Sequence, residues 1–300
     1  MISTTETRYA IGMDVGGSHL SSAVVELSSG RLVGEAVNTP VDSRASASSI
    51  LRAFKENIAK VFEYTEQMPL SGLGIAIPGP FDYENGVSTI AGVSKYDSVF
   101  GLDFVKTLLP RVGGYGIKAL RFTNDASAFA LGEYLGGAGR GKHRVMVLTL
   151  GTGVGSGFVE DGRLIEDGPS VPEHGWVYNY PFEGGIADDA FSTRWFVKRF
   201  RELTGISVKG AKEIADLFGK NPSANRIFEE YGLRLAEFIT PLSGCFGAEE
   251  VILGGNIARA FPLFGEITRA RLTELGCKAG LNTSVLWDEA AMTGAASLFA

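Results

Sequence analysis

Two widely separated stretches of the sequence share one pattern: a short apolar run, a glycine-rich turn and a second apolar run. The first stretch, Tyr9–Leu27, is interrupted by Asp14-Val15-Gly16-Gly17-Ser18. In the second, Arg144–Leu150 is followed by Gly151-Thr152-Gly153-Val154-Gly155 and then by the apolar run Ser156–Val159. Apolar runs joined by such turns are typical of β-hairpins. The repetition predicts two similar domains, each presenting a glycine turn to a shared cleft.

The rest of the chain alternates helical and strand patterns, as in an α/β protein. Residues 43–67 carry a helical apolar stripe, and a buried strand over residues 72–77 ends at Pro78-Gly79-Pro80. A short strand over residues 119–123 leads into Asn124-Asp125 and a further helix. Late in the chain we expect a helix over residues 222–245, kinked or split at Pro241, and a last strand over residues 284–287.

Composition and charge exclude several classes of protein. The net charge is −6, the pI is about 5.3 and no basic stripe is visible, so no nucleic-acid partner is expected. An anionic nucleotide would need backbone amides, helix N-termini and a divalent cation. No apolar run approaches the roughly 18 residues that span a membrane, and no signal peptide opens the chain. With two cysteines that lack metal spacing, this predicts a cytoplasmic protein.

Both glycine turns are suited to phosphate binding. The amides of Gly16 and Gly17 and the hydroxyl of Ser18 are unobstructed donors, and Asp14 is suited to holding a hydrated Mg²⁺. The alternative is a hairpin turn with a capping aspartate. Gly151, Thr152, Gly153 and Gly155 offer the same donors, although a simple turn also explains them.

Two further motifs lie between a strand and a helix. Asn124-Asp125 fits a helix N-cap and also fits the position of a catalytic carboxylate, and the same segment can serve both roles. Phosphoryl transfer needs a carboxylate to take the proton of the accepting hydroxyl, and Asp125 is the candidate for this general base. Gly254-Gly255-Asn256 allows a flat base or ribose to approach the backbone, or serves only as a tight turn.

Taken together and in order, these motifs resemble those of the ROK family (repressors, open reading frames and kinases), a branch of the actin-like ATPase superfamily. The resemblance covers essentially the whole chain. It is carried by the two glycine turns, Gly74–Pro80, Asn124-Asp125-Ala126 with Gly132-Glu133, Gly137–Gly141 and Gly254-Gly255-Asn256.

The resemblance implies two ribonuclease-H-like domains around an interdomain cleft, the first formed by residues 1–123 and the C-terminal helix 289–300, the second by residues 124–288. It implies ATP bound by the two glycine turns and by Gly254-Gly255-Asn256, with Mg²⁺ near Asp14. A hexose is expected near Gly79, Asn124 and Asp125, with phosphorylation usually on the carbon-six hydroxyl. By analogy, a homodimer is expected.

One segment departs from the family pattern. Many members carry a Glu-x-Gly-His motif and a cysteine-rich zinc loop, whereas here the stretch is Glu173-His174-Gly175-Trp176 and residues 183–189 contain no cysteine. We therefore expect no structural zinc. Glu173 and His174 remain candidate sugar contacts, and Asp188 or Asp189 are candidate substitutes for them.

Two alternatives to a sugar kinase fit parts of the pattern. A repressor of this family would carry a DNA-binding domain before the first motif, and thirteen residues before Asp14 cannot hold one. A sugar-binding protein without turnover would explain the altered Glu173–Trp176 segment, although the intact Asp14, Asp125 and glycine turns favour an enzyme. The sequence leaves open which sugar is used and whether the phosphoryl donor is ATP or polyphosphate.

Overall fold

The computed structural model describes residues 8–63, 65, 68–92 and 95–300. It divides into two compact units: unit 1 runs to Arg140 and includes Asp288–Ala300, and unit 2 is Gly141–Trp287. The division therefore falls after Arg140 and not after residue 123, because the helix that follows residue 124 packs against the C-terminal helix within unit 1. Residues 1–7 of the expected first domain lie outside the described residues.

In chain order, the principal elements of unit 1 are β1 (Tyr9–Val15), β2 (His19–Glu26), β3 (Arg31–Pro40), α1 (Ala47–Phe62), β4 (Leu70–Ala76), β5 (Phe81–Asp82), β6 (Val87–Ser88), α2 (Phe104–Val112), β7 (Leu120–Thr123), α3 (Asp125–Leu135) and the last helix of the chain, α10 (Ala290–Ser297). The main sheet has the order β3-β2-β1-β4-β7. β1 pairs antiparallel with β2, whereas β1, β4 and β7 run parallel.

The principal elements of unit 2 are β8 (Arg144–Leu150), β9 (Val154–Glu160), β10 (Arg163–Leu164), β11 (Pro181–Phe182), β12 (Gly185–Ile186), α4 (Ala187–Phe191), α5 (Thr193–Thr204), α6 (Ala211–Ala215), α7 (Pro222–Phe246), β13 (Glu250–Gly254), α8 (Gly255–Ala258), α9 (Gly265–Glu274) and β14 (Gly280–Thr283). The main sheet of this unit has the order β10-β9-β8-β13-β14. An antiparallel ribbon again continues into parallel strands, which confirms the predicted repetition.

The three parallel strands of unit 1 decide where its polar residues meet. Parallel strands end at the same edge of a sheet, and in open α/β sheets ligands bind beyond that edge. Asp14 pairs with Ala76 near the carboxyl ends of β1 and β4, and Ala76 pairs with Thr123 at the end of β7. The loops after β4 and β7 therefore leave the sheet beside Asp14.

The last helix packs unusually close to this sheet. A Cβ atom at Gly12 of β1 would lie 1.8 Å from the carbonyl oxygen of Met292, and one at Gly74 of β4 would lie 1.8 Å from that of Ala295. Because no side chain fits in that space, glycine at both positions is what allows α10 to lie against β1 and β4.

Three elements differ from the expected bounds. Helix α1 begins at Ala47, where Ser46 caps it, and ends at Phe62, while Gln67 lies outside the described residues. Pro241 does not split α7, which runs uninterrupted to Phe246. The last strand is Gly280–Thr283, not residues 284–287, because β14 pairs in register with β13 from Glu250 onward.

No helix in the described part of the chain is both long and apolar enough to cross a membrane.

Candidate active site

Asp14 is a partly buried carboxylate near the carboxyl end of β1. Burial raises its pKa from 3.8 to about 7, and the negative charges of Asp125 and Asp288 contribute to the increase. The charge of Asp125 therefore acts on the pKa of Asp14, although 110 residues of chain separate them. A carboxylate in such surroundings favours a cation, because a cation offsets both the lost hydration and the repulsion.

Asp125 follows β7 and is the first residue of α3. Asn124 is the N-cap: its side-chain oxygen accepts a hydrogen bond from the amide of Ala126 at 3.0 Å. The same amide donates to Oδ1 of Asp125, also at 3.0 Å, which fixes the orientation of the carboxylate. The surrounding protein raises the pKa of Asp125 by desolvation, and these hydrogen bonds oppose that increase. Its side chain keeps access to solvent, as a group that meets a substrate must.

A tyrosine connects the loop after β4 to this cap. The hydroxyl of Tyr83 donates to the carbonyl of Ile77 at 3.1 Å and accepts from the amide nitrogen Nδ2 of Asn124 at 3.2 Å. A Cβ atom at Gly79 would lie 3.2 Å from the same hydroxyl. Gly79 and Asn124 are thus neighbours in unit 1, and no sequence motif identified Tyr83 as the residue that connects them.

The first glycine turn lies at the same sheet edge and is held by groups distant in sequence. The amide of Gly16 donates to the carbonyl of His19 at 2.9 Å, and the hydroxyl of Tyr96 donates to the carbonyl of Gly16 at 2.6 Å. A Cβ atom at Gly17 would lie 3.2 Å from Nζ of Lys95, so an ammonium group stands beside this turn. Gly17 and Ser18 are exposed.

Tyr96 is buried, and burial together with the charge of Asp14 raises its pKa, so its hydroxyl stays protonated and acts as a donor. Lys95 and Tyr96 were not identified from the sequence. They belong to an irregular segment without periodicity or a motif, and the contact of Tyr96 with Gly16 spans 80 residues.

The second glycine turn, in unit 2, is tied to the start of α5. Thr193 donates to the carbonyl of Gly151 from its amide at 2.8 Å and from its hydroxyl at 3.0 Å. Nη1 of Arg194 donates to the carbonyl of Thr152 at 3.1 Å. A Cβ atom at Gly151 would meet no other atom within 4 Å, so the fold itself leaves this position open.

Asp188 fixes the far side of this turn. Its Oδ1 accepts from the amide of Val154 at 2.8 Å, and its Oδ2 forms an ion pair with Arg194. Gly153 lies against the same carboxylate, because a Cβ atom there would be 3.0 Å from Oδ1 of Asp188. Asp188 therefore stabilises the turn within unit 2.

Gly254-Gly255-Asn256 lies next to the end of β8. Gly255 has a φ of 80°, and a Cβ atom on it would be 2.5 Å from the carbonyl oxygen of Leu150. Only glycine meets both conditions. The neighbouring Asn256 is exposed. Within unit 2, the second glycine turn and this loop thus lie at one edge of the sheet, where β8 and β13 end.

The segment Glu173–Trp176, which departs from the family pattern, forms an exposed aromatic surface together with Tyr178. Glu173–Gly175 is a single 3-10 turn in which His174 has a φ of 56°. The ring of His174 lies 4.8 Å from that of Trp176, which in turn lies 5.9 Å from that of Tyr178. Glu173 and His174 are both exposed.

The acidic residues of the site also bear on metal binding. Among the described residues, no group of three or more His, Cys, Asp or Glu side chains is arranged to hold a metal ion. Mg²⁺ does not require such a cage, because it is usually held by one or two carboxylates together with substrate phosphates and water. Asp14 beside the exposed first glycine turn meets that description.

Comparison with known proteins agrees with the motifs. The ROK family model matches residues 10–300. The glucokinase of Thermotoga maritima is 30% identical, over 96% of either chain. Two solved structures are similar in fold. An inorganic polyphosphate/ATP-glucomannokinase from Arthrobacter sp. strain KM has a TM-score of 0.66 and 27% sequence identity, and the match covers 97% of this chain and 98% of that one. A ROK family glucokinase from Streptomyces griseus in complex with glucose and AMPPNP has a TM-score of 0.69 and 22% identity, with 97% and 98% of the two chains covered. The chain has the two-domain actin-like ATPase fold and belongs to the ROK family.

Proposed function

We propose that this protein is a kinase that transfers the γ-phosphoryl group of ATP to a hydroxyl of a hexose, with Asp125 as the general base. The observation that supports this proposal most directly is the placement of two carboxylates, Asp14 at the end of β1 and Asp125 just after β7, at the sheet edge that carries an exposed glycine turn. A second support is the glucokinase of Thermotoga maritima, which is similar over nearly the whole chain.

Phosphoryl transfer needs little covalent chemistry from the protein, and most of the catalysis comes from positioning and from charge stabilisation. In our proposal the accepting hydroxyl lies between Asp125 and the γ-phosphate, and Asp125 takes its proton. An aspartate with a raised pKa is a better base than an ordinary one, because a general base works best when its pKa lies near the operating pH. The cap formed by Asn124 and the amide of Ala126 keep its carboxylate oriented.

ATP is proposed to bind through its phosphates at the turn of Gly16, Gly17 and Ser18 and at the turn of Gly151, Thr152, Gly153 and Gly155, with its adenosine at Gly254, Gly255 and Asn256. The amides of Gly16 and Gly151 already donate to carbonyls of their own hairpins, so they are not the free donors that the sequence suggested, and the other groups of the two turns would bind the phosphates. Mg²⁺ bound near Asp14, through water, would neutralise phosphate charge. Lys95 adds a cation at the first turn. Backbone amides and cations aimed at the phosphoryl oxygens stabilise the charge that develops there.

The sugar is proposed to contact Gly79, Asn124 and Asp125 of unit 1, and Glu173 and His174 of unit 2. Tyr83 positions Asn124 through its hydroxyl. Glucose with phosphorylation on carbon six is the first candidate, because the Thermotoga maritima relative is a glucokinase. A cytoplasmic location is proposed in addition, and both cysteines, Cys245 and Cys277, are free thiols, as a reducing compartment would keep them.

The decisive experiment is a panel of hexoses, N-acetylhexosamines and glycosides, assayed with ATP and Mg²⁺ by coupled detection of ADP. We expect turnover with at least one sugar, and Asp125→Asn should reduce kcat by a factor on the order of 10² or more while sugar binding persists. Asp42→Asn, which removes an exposed carboxylate of the same unit, is the matched control and should leave kcat unchanged. Near-normal turnover by Asp125→Asn would show that Asp125 is not the general base.

A second candidate function is sugar binding without turnover. The aromatic surface of His174, Trp176 and Tyr178 is the observation that favours it, because the family's usual sugar contacts are altered there. If calorimetry detects sugar or ATP binding while no sugar in the panel releases ADP, this second function replaces the first.

A further inference from the structure

In unit 2 a charged side chain lies over an aromatic ring. The guanidinium carbon Cζ of Arg259 is 4.6 Å from the centre of the Trp287 ring. Trp287 is half-buried and packs against the core of the unit, whereas Arg259 is exposed. A guanidinium at this distance is attracted to the face of the ring, and it is itself planar. The pair therefore presents an exposed, flat cationic group on an aromatic support.

Trp287 lies at the sheet edge that carries Gly254-Gly255-Asn256. Leu253 of β13 pairs with Thr283 of β14, so these two parallel strands end side by side. The amide of Ser284 donates to the carbonyl of Leu253 at 2.8 Å, and the hydroxyl of Ser284 accepts from the amide of Trp287 at 2.7 Å. These bonds hold the segment that leads to Trp287 beside the end of β13.

The short helix after β13 brings Arg259 to the same place. Asn256 and Arg259 are three positions apart, so they share one face of α8 and its C-terminal cap, and both are exposed. The second glycine turn follows β8, which is two strands from β14 in the order β8-β13-β14. At about 4.8 Å between neighbouring strands, the ends of β8 and β14 are about 10 Å apart. A nucleotide needs such a separation, because its ribose lies between its phosphates and its base.

The backbone at position 287 gives no reason for a tryptophan. Its φ is 49°, in the left-handed region, where bulky side chains are rare and glycine or asparagine is favoured. A bulky residue persists in such a conformation only where its surroundings determine it, and such residues cluster at ligand sites. What tryptophan adds at this position, and glycine would not, is the ring against which Arg259 lies.

We infer that Arg259, supported by Trp287, binds the base of the nucleotide by stacking. The guanidinium of arginine stacks on flat aromatic groups, and nucleobases are such groups. Trp287 is a positioning residue, which holds the guanidinium in place. The inference rests on the proposed use of ATP, and it adds the side chain that binds the base beside Gly254-Gly255-Asn256. Because stacking requires only a flat π face, Arg259 should bind adenine and guanine alike.

Isothermal titration calorimetry with ADP, GDP and tripolyphosphate, in the presence of Mg²⁺, separates base binding from phosphate binding, because tripolyphosphate has no base. Arg259→Ala should raise the Kd for ADP and for GDP by about tenfold, because the stacked base loses its partner. It should change the Kd for tripolyphosphate by less than about threefold. Arg259→Lys keeps the charge but not the plane, so its Kd for ADP should rise nearly as much as in Arg259→Ala.

The role of Trp287 is tested with a double variant. Trp287→Leu keeps an apolar side chain against the core and removes the ring, and it should raise the Kd for ADP by about threefold. Because Trp287 acts through Arg259, adding Trp287→Leu to Arg259→Ala should cause no further rise. A tryptophan that bound the base by itself, or that only stabilised the fold, would add its own effect to that of Arg259→Ala. A further rise in the double variant would therefore overturn the role assigned to Trp287.

Arg226→Ala is the matched control, because Arg226 is an exposed arginine on α7 of the same unit, and it should leave every Kd unchanged. An unchanged Kd for ADP in Arg259→Ala, an equal rise for tripolyphosphate, or wild-type affinity in Arg259→Lys overturns the inference. In each of these cases, the kinase proposal stands if the wild type phosphorylates a sugar with ATP. A wild type that binds neither ADP nor GDP overturns both the inference and the proposed use of ATP.

Discussion

Replacing Asp14 by asparagine should stabilise the protein, and by more as the pH rises. The pKa of Asp14 is raised from 3.8 to about 7 in the folded protein. Between these two values the folded protein keeps a proton that the unfolded chain has released. The free energy of unfolding therefore falls as the pH rises through this interval, and the whole loss of stability caused by ionising Asp14 is present above about pH 7. Asparagine has nearly the same shape and no charge, so it removes the penalty.

The shift sets the size of the effect. At 1.36 kcal/mol per pKa unit, the ionisation of Asp14 costs about 1.7 kcal/mol of folding free energy at pH 5 and about 4 kcal/mol at pH 8. Asp14 keeps partial contact with solvent, so these are upper values. We expect the stability difference between Asp14→Asn and the wild type to grow by about 2 kcal/mol from pH 5 to pH 8.

Urea unfolding without Mg²⁺, followed by far-ultraviolet circular dichroism, measures this difference. Tryptophan fluorescence is unsuitable, because Trp176, Trp195 and Trp287 all belong to unit 2. Asp42→Asn is the control, and its difference from the wild type should not depend on pH in this range. If the difference for Asp14→Asn stays constant from pH 5 to pH 8, or if the variant is less stable than the wild type at pH 8, the burial argument is wrong.

Two further substitutions test the site. Gly151→Ala should leave the free energy of unfolding within about 0.5 kcal/mol of the wild type, because its Cβ atom meets nothing within 4 Å. It should nevertheless raise the KM for ATP by about tenfold, because the added methyl group obstructs the approach of phosphate. Gly114→Ala, also in open space, is the control, and an unchanged KM for ATP in Gly151→Ala would exclude Gly151 from the phosphate site. Tyr83→Phe should lower the free energy of unfolding, measured in urea, by about 1 kcal/mol and raise the KM for the sugar, because Asn124 loses the hydroxyl that positions it. A change in stability without a change in the KM would mean that Tyr83 contributes only to the fold.

The sequence predicted those parts of the protein that follow from local pattern. Both hairpins and the likeness of the two units follow from apolar periodicity and from the repeated glycine turns. The order of the sheet strands and the meeting of Asp14 with the loops after β4 and β7 were not predicted, because strand pairing joins residues that are distant in the chain. Tyr83, Lys95 and Tyr96 could not be found in this way, because their contacts join irregular segments and depend on how the loops pass one another.

Two of the three differences from the expected elements, at Pro241 and in the last strand, have physical reasons. Pro241 was expected to kink or split α7, and it does not split it. Glu237, whose carbonyl loses its hydrogen bond to a proline nitrogen, is exposed, so water can replace the missing donor. The apolar residues Val285 and Trp287 suggested a strand. Val285 is instead 65% exposed, and the ring of Trp287 lies 4.6 Å from the guanidinium of Arg259. Neither residue belongs to a strand: Val285 faces solvent, and Trp287 packs against the core of unit 2 from outside the sheet.

The high glycine content, 40 residues in 300, has more than one cause, and the structure separates them. Gly132 and Gly294 let α3 and α10 touch backbone to backbone, since a Cβ atom at either position would lie within 2 Å of a carbonyl oxygen. These glycines are explained by packing alone. Gly151 has neither a close neighbour nor a left-handed conformation, so the fold gives no reason to exclude a side chain there. Open space alone does not identify a ligand site, because Gly114 has it too. Gly151 differs in its place, on the turn at the sheet edge where β8 and β13 end, and we propose that a phosphate group approaches it there.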